Sequence, residues 1–383
     1  MKLIHLSDLH IGKRVNDFSM IEDQKYILDE IIKIIDDELP QGVLIAGDVY
    51  DKSTPSEEAV RVFDAFLSKL AARDLEVFII SGNHDSAAKL SFASSLIDKS
   101  GVHISPEYNG IINKYVLTGN DTTVNIYMLP FIKPAVVKNV FSDEADGIGN
   151  YSDAVSACLQ HSDIHTRADS TRGVNILVAH QFVTGASRSE SEDISVGGLD
   201  NVDASVFEGF DYVALGHIHG PQNIGSEVIR YCGTPLKYSF SEANHNKSVT
   251  VIDIDKEDVN VRTVPLTPIR DMRVIKGSFE ELTLKKNYEN TSREDYIQVI
   301  LTDEEDVIDA MAKLRVIYPN VMKLTYDSRR SARVDASSQI SEVESKSPKE
   351  LFAQLYEMQN NKAMSSRQEQ IVDRMIERIW DKA

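Results

Sequence analysis

Cysteine is almost absent: Cys158 and Cys232 are the only two in 383 residues, and they make no disulfide framework. So sparse a thiol content suits a reducing compartment. Long apolar runs are missing too. None approaches the roughly 20 consecutive residues of a membrane span. No basic stretch leading into an apolar one opens the chain, which enters a predicted strand by residue 3, so a cytoplasmic protein is expected. Positive charge is in deficit. Against 60 Asp and Glu stand 41 Lys and Arg, a formal net charge of −19. That balance excludes a chain that coats nucleic acid through its own bulk charge, because phosphate contact is mostly Lys and Arg chemistry. It does not exclude a nuclease, since metal cations and a few basic loops can meet a phosphate backbone. With 42% hydrophobic residues, the chain is long enough for a sizeable core and more than one domain.

Against those absences, five short apolar runs stand out, each ending in residues that bind metals. KLIHLSDLH ends in Asp8 and His10, GVLIAGD in Asp48, and VFIISGNHD in Asn83, His84 and Asp85. VNILVAH ends in His180, and YVALGHIH in His217 and His219. Runs of this length and β-branched content read as buried parallel strands. Ligands of open α/β sheets sit just beyond the carboxyl ends of the strands, so these residues are expected to meet at one rim. Asp, Asn and His without a thiolate suit a pair of divalent metals and hydrolysis of phosphate esters.

Singly, most of these pieces say little. A lone His at a strand end is more often a structural hydrogen-bonder, and D-x-H or G-D alone is weak. G-N-H-D is sharper, because Gly frees the backbone where three polar side chains crowd one turn. In G-H-x-H, residues two apart in an extended segment point the same way, so His217 and His219 can face one metal pair. Burying all five without a ligand would cost roughly 1–3 kcal/mol per unpaired group.

Together, D-x-H, G-D, G-N-H-D, H and G-H-x-H resemble the motif set of the calcineurin-like metallophosphoesterases, over roughly residues 1–220. The resemblance implies that Asp8, His10, Asp48 and His219 hold one metal. Asp48, Asn83, His180 and His217 would hold the other, with Asp48 bridging. His84 would lie against the scissile phosphate as the catalytic residue, donating charge or a proton. Asp85 would orient His84 or its loop, as carboxylates behind a metal site do.

Within the superfamily the wording is similar to the bacterial SbcD nuclease family, counterpart of the archaeal and eukaryotic double-strand-break nucleases. The carrying segments are Leu6–Lys13, Ala46–Asp51, Ser81–Ser86, Leu215–Gln222 and Cys232–Ser248. The last of these, CGTPLKYSFSEANHNKS, belongs to no general phosphatase motif. One residue departs from the archaeal and eukaryotic pattern: Asp51 stands where those relatives carry a second His. A carboxylate cannot do the work of an imidazolium beside a phosphate, so Asp51 stays outside the catalytic set. The resemblance implies a manganese-dependent DNA nuclease acting on DNA ends and hairpins, exonucleolytic and endonucleolytic. Its implied partner is an SMC-like ATPase of the SbcC type, in repair, recombination and replication. Two alternatives stand beside it. One is a small-substrate phosphatase or cyclic-nucleotide phosphodiesterase of the same fold, which would need nothing beyond about residue 265. The other is a non-catalytic scaffold.

The expected architecture is α/β. By the resemblance it is a four-layer α/β/β/α sandwich over 1–265, followed by a small α+β capping domain over 266–327. A linker over 328–349 and a helical, ATPase-binding tail over 350–383 complete it. Apolar spacing predicts helices over Ile21–Leu39, Glu57–Ala72 and Ala87–Asp98. Later strands are expected near Val124–Leu129, Val174–Ala179, Tyr212–Leu215, Val228–Cys232 and Val249–Ile254. Ser142–Gly149 and Ser187–Gly198 read as polar loops, the second able to border a substrate. In the capping domain, strands are expected at Met272–Lys276, Tyr296–Leu301 and Val321–Tyr326. Helices are expected at Phe279–Leu284 and Glu304–Tyr318.

Ser328–Lys349 is rich in Ser and charge, as a linker is. Beyond it, Leu351, Phe352, Leu355 and Met358 form one apolar stripe. Ile371, Val372, Met375, Ile376, Ile379 and Trp380 form another, behind a capping box at Ser366-x-x-Glu369. Two short amphipathic helices cannot bury those faces alone. The resemblance favours the ATPase partner over docking in cis. It also implies a homodimer through the helices near 57–72 and 88–98, within a heterotetramer. Lys13, Arg14, Lys52 and Lys89 follow the ligand motifs closely and are candidate DNA contacts.

Overall fold

The computed structural model describes residues 1–119, 122–162, 164, 173–192, 200–327, 352–353, 356 and 364–380. Two six-stranded mixed sheets dominate the first unit. In the first sheet, Lys2–Leu6, Gly42–Ala46, Glu76–Ile80 and Val102–Ile104 run parallel, in that order. The hairpin Ser248–Asp255 and Asp258–Pro265 extends this sheet antiparallel beside Lys2–Leu6. In the second sheet, Thr123–Leu129, Val174–His180, Tyr212–Gly216 and Ser226–Tyr231 are parallel. Asn113–Thr118 and Gln222–Ile224 are its antiparallel edges.

The central parallel strands, such as Gly42–Ala46, Val174–His180 and Tyr212–Gly216, are buried on both faces, which is why they read as continuous apolar runs. Alternate residues point to opposite sides. Leu3, Leu44, Ala46, Phe78 and Ile80 of the first sheet pack against Ile126, Met128, Ile176, Val178 and Ala214 of the second. The outward set of the second sheet, including Leu177, Ala179, Val213 and Leu215, packs on Val137, Ala154, Val155 and Cys158. Those residues lie on the helices Pro134–Val140 and Tyr151–Gln160. The helices Ile21–Glu38 and Glu57–Ala71 bury Ile27, Ile31 and Ile35, and Val62, Phe63 and Phe66, beside the first sheet. The order is therefore helices, sheet, sheet, helices, as expected. Ser56 caps the second of these helices by accepting from the Ala59 N–H. No helix among the described residues is long and apolar enough to cross a membrane.

Two expected helices are shorter than the pattern suggests. Ala87–Asp98 breaks into Ala87–Leu90 and Ser94–Ile97, with Ala93 left-handed between them at φ 61°. Only Leu90 is buried there, while Phe92 and Leu96 are 82% and 76% exposed, so no apolar stripe holds one continuous helix. Glu304–Tyr318 is helical only over Ala310–Ile317. Asp309 is left-handed, and the Val307 N–H is already taken by the Tyr326 hydroxyl. The loop Ser142–Gly149 holds a 3-10 turn over Ser142–Gly147.

The first compact unit runs through Met272, beyond the expected boundary at 265. The reason is local. The Leu266 N–H bonds Lys247 O, Arg270 forms two hydrogen bonds with the buried Asp23 carboxylate, and Asp271 pairs with Lys237. The second unit holds a three-stranded sheet of Met272–Gly277, Tyr296–Leu301 and Val321–Tyr326, with its own core of Ile297, Val299, Leu314 and Val321. Phe279–Thr283 opens with a full capping box at Ser278 and Glu281. In the tail, Ser366–Trp380 is helical. Its entry contacts come from Ser365 with Gln368, one residue before the expected box. Phe352, Ile371 and Met375 are exposed, and Val372 is buried. Residues 328–349, Leu351, Leu355 and Met358 lie outside the described residues, as do the side chains of Ile379 and Trp380.

Candidate metal centre

Each motif residue lies at or just past the carboxyl end of a parallel strand, and the two sheets bring these ends together. His180 is the last residue of its strand. Asp8, Asp48, Asn83 and His217 follow theirs within three residues. Asp8, His10, Asp48, His180, His217 and His219 are all buried. Four of them turn into the cluster with left-handed backbones: Asp8 at φ 51°, His10 at 43°, Asp48 at 49° and His217 at 100°. Such conformations cost free energy in non-glycine residues and persist only where the surroundings enforce them. The strand exits press against one another closely. A Cβ on Gly82 would sit 2.1 Å from Asp48 Oδ1, and one on Gly216 would sit 1.9 Å from Ala46 O.

The donor atoms converge. His10 Nε2 lies 3.1 Å from His219 Nε2. Asn83 Oδ1 lies 3.0 Å from His180 Nε2 and 2.8 Å from His217 Nδ1. Asp48 Oδ2 stands between the two groups, 3.3 Å from His180 Nε2 and 3.7 Å from His10 Nε2. Asp8 accepts the His217 N–H at 3.0 and 3.1 Å and a hydrogen bond from Ser7. Donor atoms of Asp8, His10 and His219 lie within 4.8 Å of one another, and so do those of Asp8, Asp48 and His180. The set of His10, Asp48 and His84 is equally close.

Burial and mutual charge set the electrostatics of the cluster. Burial pushes the Asp8 carboxyl up to about 7, against the pull of His180. Burial also works against charge on Asp48, but His180 and His10 outweigh it and hold that carboxyl far below its usual range. On His180, burial opposes the imidazolium, yet Asp48 and Asp8 carry it up to about 9. Burial, with His180 beside it, drops His217 to about 3, and burial likewise holds His10 well below its ordinary value. Burial thus favours neutral imidazoles at His217 and His10, while Asp48 pairs with His180. Among the described residues, His10 Nδ1 has no hydrogen-bond partner. Nitrogen and oxygen donors without thiolate fit Mn, Fe or Zn.

Around this set, His84 donates its backbone N–H to Asp48 Oδ1 at 2.9 Å. Its Nδ1 faces Asp51 O at 3.0 Å. The Asp85 carboxylate accepts from the N–H groups of Gly82, Val49 and Tyr50 and so ties two ligand loops together. The Asp51 carboxylate pairs with Lys13 at 2.9 Å and lies 3.9 Å from His10 Nδ1. Of the candidate DNA contacts, Lys13 is thus at the cluster's edge. Arg14 bonds Asp17 O, Lys89 bonds Ser53 O and Thr54, and Lys52 is exposed. His5, inside the first motif, is not part of the centre: it bonds the Tyr212 hydroxyl at 3.0 Å in the inter-sheet core.

Sequence reasoning missed an outer ring of buried polar side chains. Gln24 donates to Leu9 O, His10 O and the Tyr238 hydroxyl, and accepts the Gly12 N–H, fixing the first ligand loop. Ser191, Glu192, Glu242 and Lys247 surround His219. The signals were the distinctive segment Cys232–Ser248 for Glu242 and Lys247 and the loop Ser187–Gly198 for Ser191 and Glu192, and none marked Gln24. From the expected loop Ser187–Gly198, residues through Glu192 pack at the centre, and 193–199 lie outside the described residues.

Comparison with known proteins shows the family. The calcineurin-like phosphoesterase family matches residues 1–221. A family described as the type 5 capsule protein repressor C-terminal domain matches residues 268–360. The D subunit of the SbcCD nuclease from Staphylococcus epidermidis is 32% identical over 387 aligned residues, covering 100% of both chains. Its namesake from Staphylococcus saprophyticus is 36% identical over 85% of this chain and 84% of its own. Among solved structures, a dimetal phosphatase from Danio rerio aligns at 12% identity and a TM-score of 0.39, covering 70% of this chain and 99% of its own.

Proposed function

Because the chain belongs to the calcineurin-like phosphoesterases, and within them to the family of SbcCD nuclease D subunits, we propose that it is the metal-dependent nuclease subunit of an SbcCD-type complex. Its reaction is hydrolysis of DNA phosphodiester bonds, on duplex ends and on hairpins or single strands. The observation that carries this is the convergence of nitrogen and oxygen donors from five strand exits on one cluster around Asp48. In this reading Asp8, His10, Asp48 and His219 hold one divalent ion. Asp48, Asn83, His180 and His217 hold the other, and Mn2+ is the ion expected. Two such ions, when bound, supply Lewis-acid charge to the phosphate and to the attacking water.

The chain's own residues do the rest. Asp48 Oδ2 is shared between the two groups, and its Oδ1 anchors the loop of His84. His84 keeps Nδ1 on the Asp51 carbonyl and presents Nε2 to the phosphate, where it donates a proton or hydrogen bond. Asp85 keeps the two ligand loops in register. Lys13, beside the cluster, meets a flanking phosphate.

The exposed apolar residues Phe352, Ile371 and Met375 support a tail that binds the SMC-like ATPase subunit. Exposed Phe92, Leu96 and Val60 support a homodimer through the helical surface near 57–72 and 88–98, within a heterotetramer in the cytoplasm. A small-substrate phosphatase would leave the matched region 268–360 without a purpose, and a scaffold would leave the cluster without one. The deciding experiment is a nuclease assay on labelled duplex and hairpin DNA with Mn2+, Mg2+ or EDTA, with and without the ATPase subunit. Cleavage restored by Mn2+ after EDTA supports the reading. A metal-loaded protein that cuts neither substrate overturns it.

A further inference from the structure

The buried polar network behind His219 belongs to none of the roles above. Ser191 Oγ lies 2.6 Å from His219 Nδ1 and 2.5 Å from Glu242 Oε1. Glu242 is fully buried and collects donors: Lys247 Nζ at 2.6 Å on Oε2, and the Tyr238 N–H and Ser239 hydroxyl, both at 3.3 Å, on Oε1. A carboxylate so surrounded is an acceptor only. The single Ser191 proton therefore goes to Glu242, and Ser191 Oγ is left to accept. What it accepts is the Nδ1–H of His219. Only one tautomer of His219 satisfies this chain, and in it the Nε2 lone pair points to the cluster, 3.1 Å from His10 Nε2.

We propose that Ser191 and Glu242 are positioning residues, a relay that fixes the His219 proton on Nδ1 and aims Nε2 at a divalent cation. This rests on the metal reading above and explains the segment Cys232–Ser248, which no part of the reaction uses directly. At His180 and His84 the same work falls to backbone carbonyls, Ala46 O at 2.8 Å and Asp51 O at 3.0 Å. At His219 it falls to side chains, and the grip extends to the backbone. Glu192 accepts the His219 N–H at 2.6 Å, and Lys247 donates to His219 O at 2.8 Å. A buried Glu–Lys pair is a poor way to stabilise a core, because desolvation offsets much of its attraction. Wrapped around one ligand, it has a reason to be there. Carboxylate-backed histidines are a recurrent device for holding a metal ligand in one orientation.

The test uses the full-length protein and its Ser191→Ala and Ser191→Thr variants, with Mn2+ as the probe. In the metal-free wild type, 15N NMR of the imidazoles should show His219 as the Nδ1–H tautomer. Ser191→Ala should lose that preference and keep its thermal melt. By calorimetry, one of its two Mn2+ ions should bind about 10–100-fold more weakly, the usual cost of losing such a partner. Ser191→Thr, which keeps the hydroxyl, should restore both readouts. An Nε2–H tautomer in the wild type overturns the relay. So does a Ser191→Ala protein that binds two ions as tightly as the wild type. A wild type that binds no Mn2+ but shows the Nδ1–H tautomer overturns the metal reading, and with it the purpose assigned to the relay.

Discussion

Replacing Asp48 by Asn removes one negative charge from the middle of the cluster and almost nothing else. The amide can still accept the His84 N–H that now bonds Oδ1. What disappears is the attraction between Asp48 Oδ2 and His180 Nε2, 3.3 Å apart and both buried. With an effective dielectric of about 20, two unit charges at that separation attract by about 5 kcal/mol. At 1.36 kcal/mol per unit, that is roughly four pKa units. His180 stands at about 9 because Asp48 and Asp8 outweigh its burial. Without Asp48 it should titrate below its ordinary 6.5. In metal-free protein, NMR titration of the imidazole resonances reads this directly. The variant should also bind neither Mn2+ ion at concentrations that saturate the wild type, because the shared oxygen is gone. In the wild type, metal binding near pH 7 must displace the His180 proton, so binding should release protons and weaken as pH falls. A variant whose His180 still titrates near 9, or that retains two ions, refutes both the bridging role and the electrostatic account.

Two further predictions follow from the site and the tail. His84→Ala should keep both ions and DNA binding and lose about 10²–10⁴ in turnover, typical of a lost general acid; metal loss, measured as ions per chain, would make His84 a ligand instead. Cutting the chain near Ser345 should preserve the metal centre and simple end cleavage while abolishing co-purification with the ATPase subunit. In the full chain, emission from Trp380, the only tryptophan, should shift to the blue on adding that subunit. Emission already blue, and unmoved by the ATPase, would mean that the tail docks in cis.

The site was legible because it obeys a simple rule: ligands follow buried parallel strands. Each run ending in Asp, Asn or His became a strand exit, and the exits met. What stayed hidden depends on tertiary context. Nothing in S-D-L-H signals that Asp8 and His10 turn left-handed, since neither is glycine and the turn is enforced by hydrogen bonds to Gly47 O and Asp48 O. Ser191 and Glu242 are fifty-one residues apart and meet only because both pack on His219. The pairing of Ser248–Asp255 with Lys2–Leu6 closes the first sheet across nearly the whole first unit, beyond the reach of any local pattern. Helices failed where the pattern promised an apolar stripe and the fold offered nothing to cover it, as at Phe92 and Leu96.

Diffraction from crystals soaked in Mn2+, recorded for its anomalous signal, tests the central claim most directly. Two peaks about 3.5–4 Å apart are expected. One should lie among Asp8, His10, Asp48 and His219, the other among Asp48, Asn83, His180 and His217, with Asp48 Oδ2 touching both. A single peak, a peak bound by His84, or manganese held elsewhere would contradict the account.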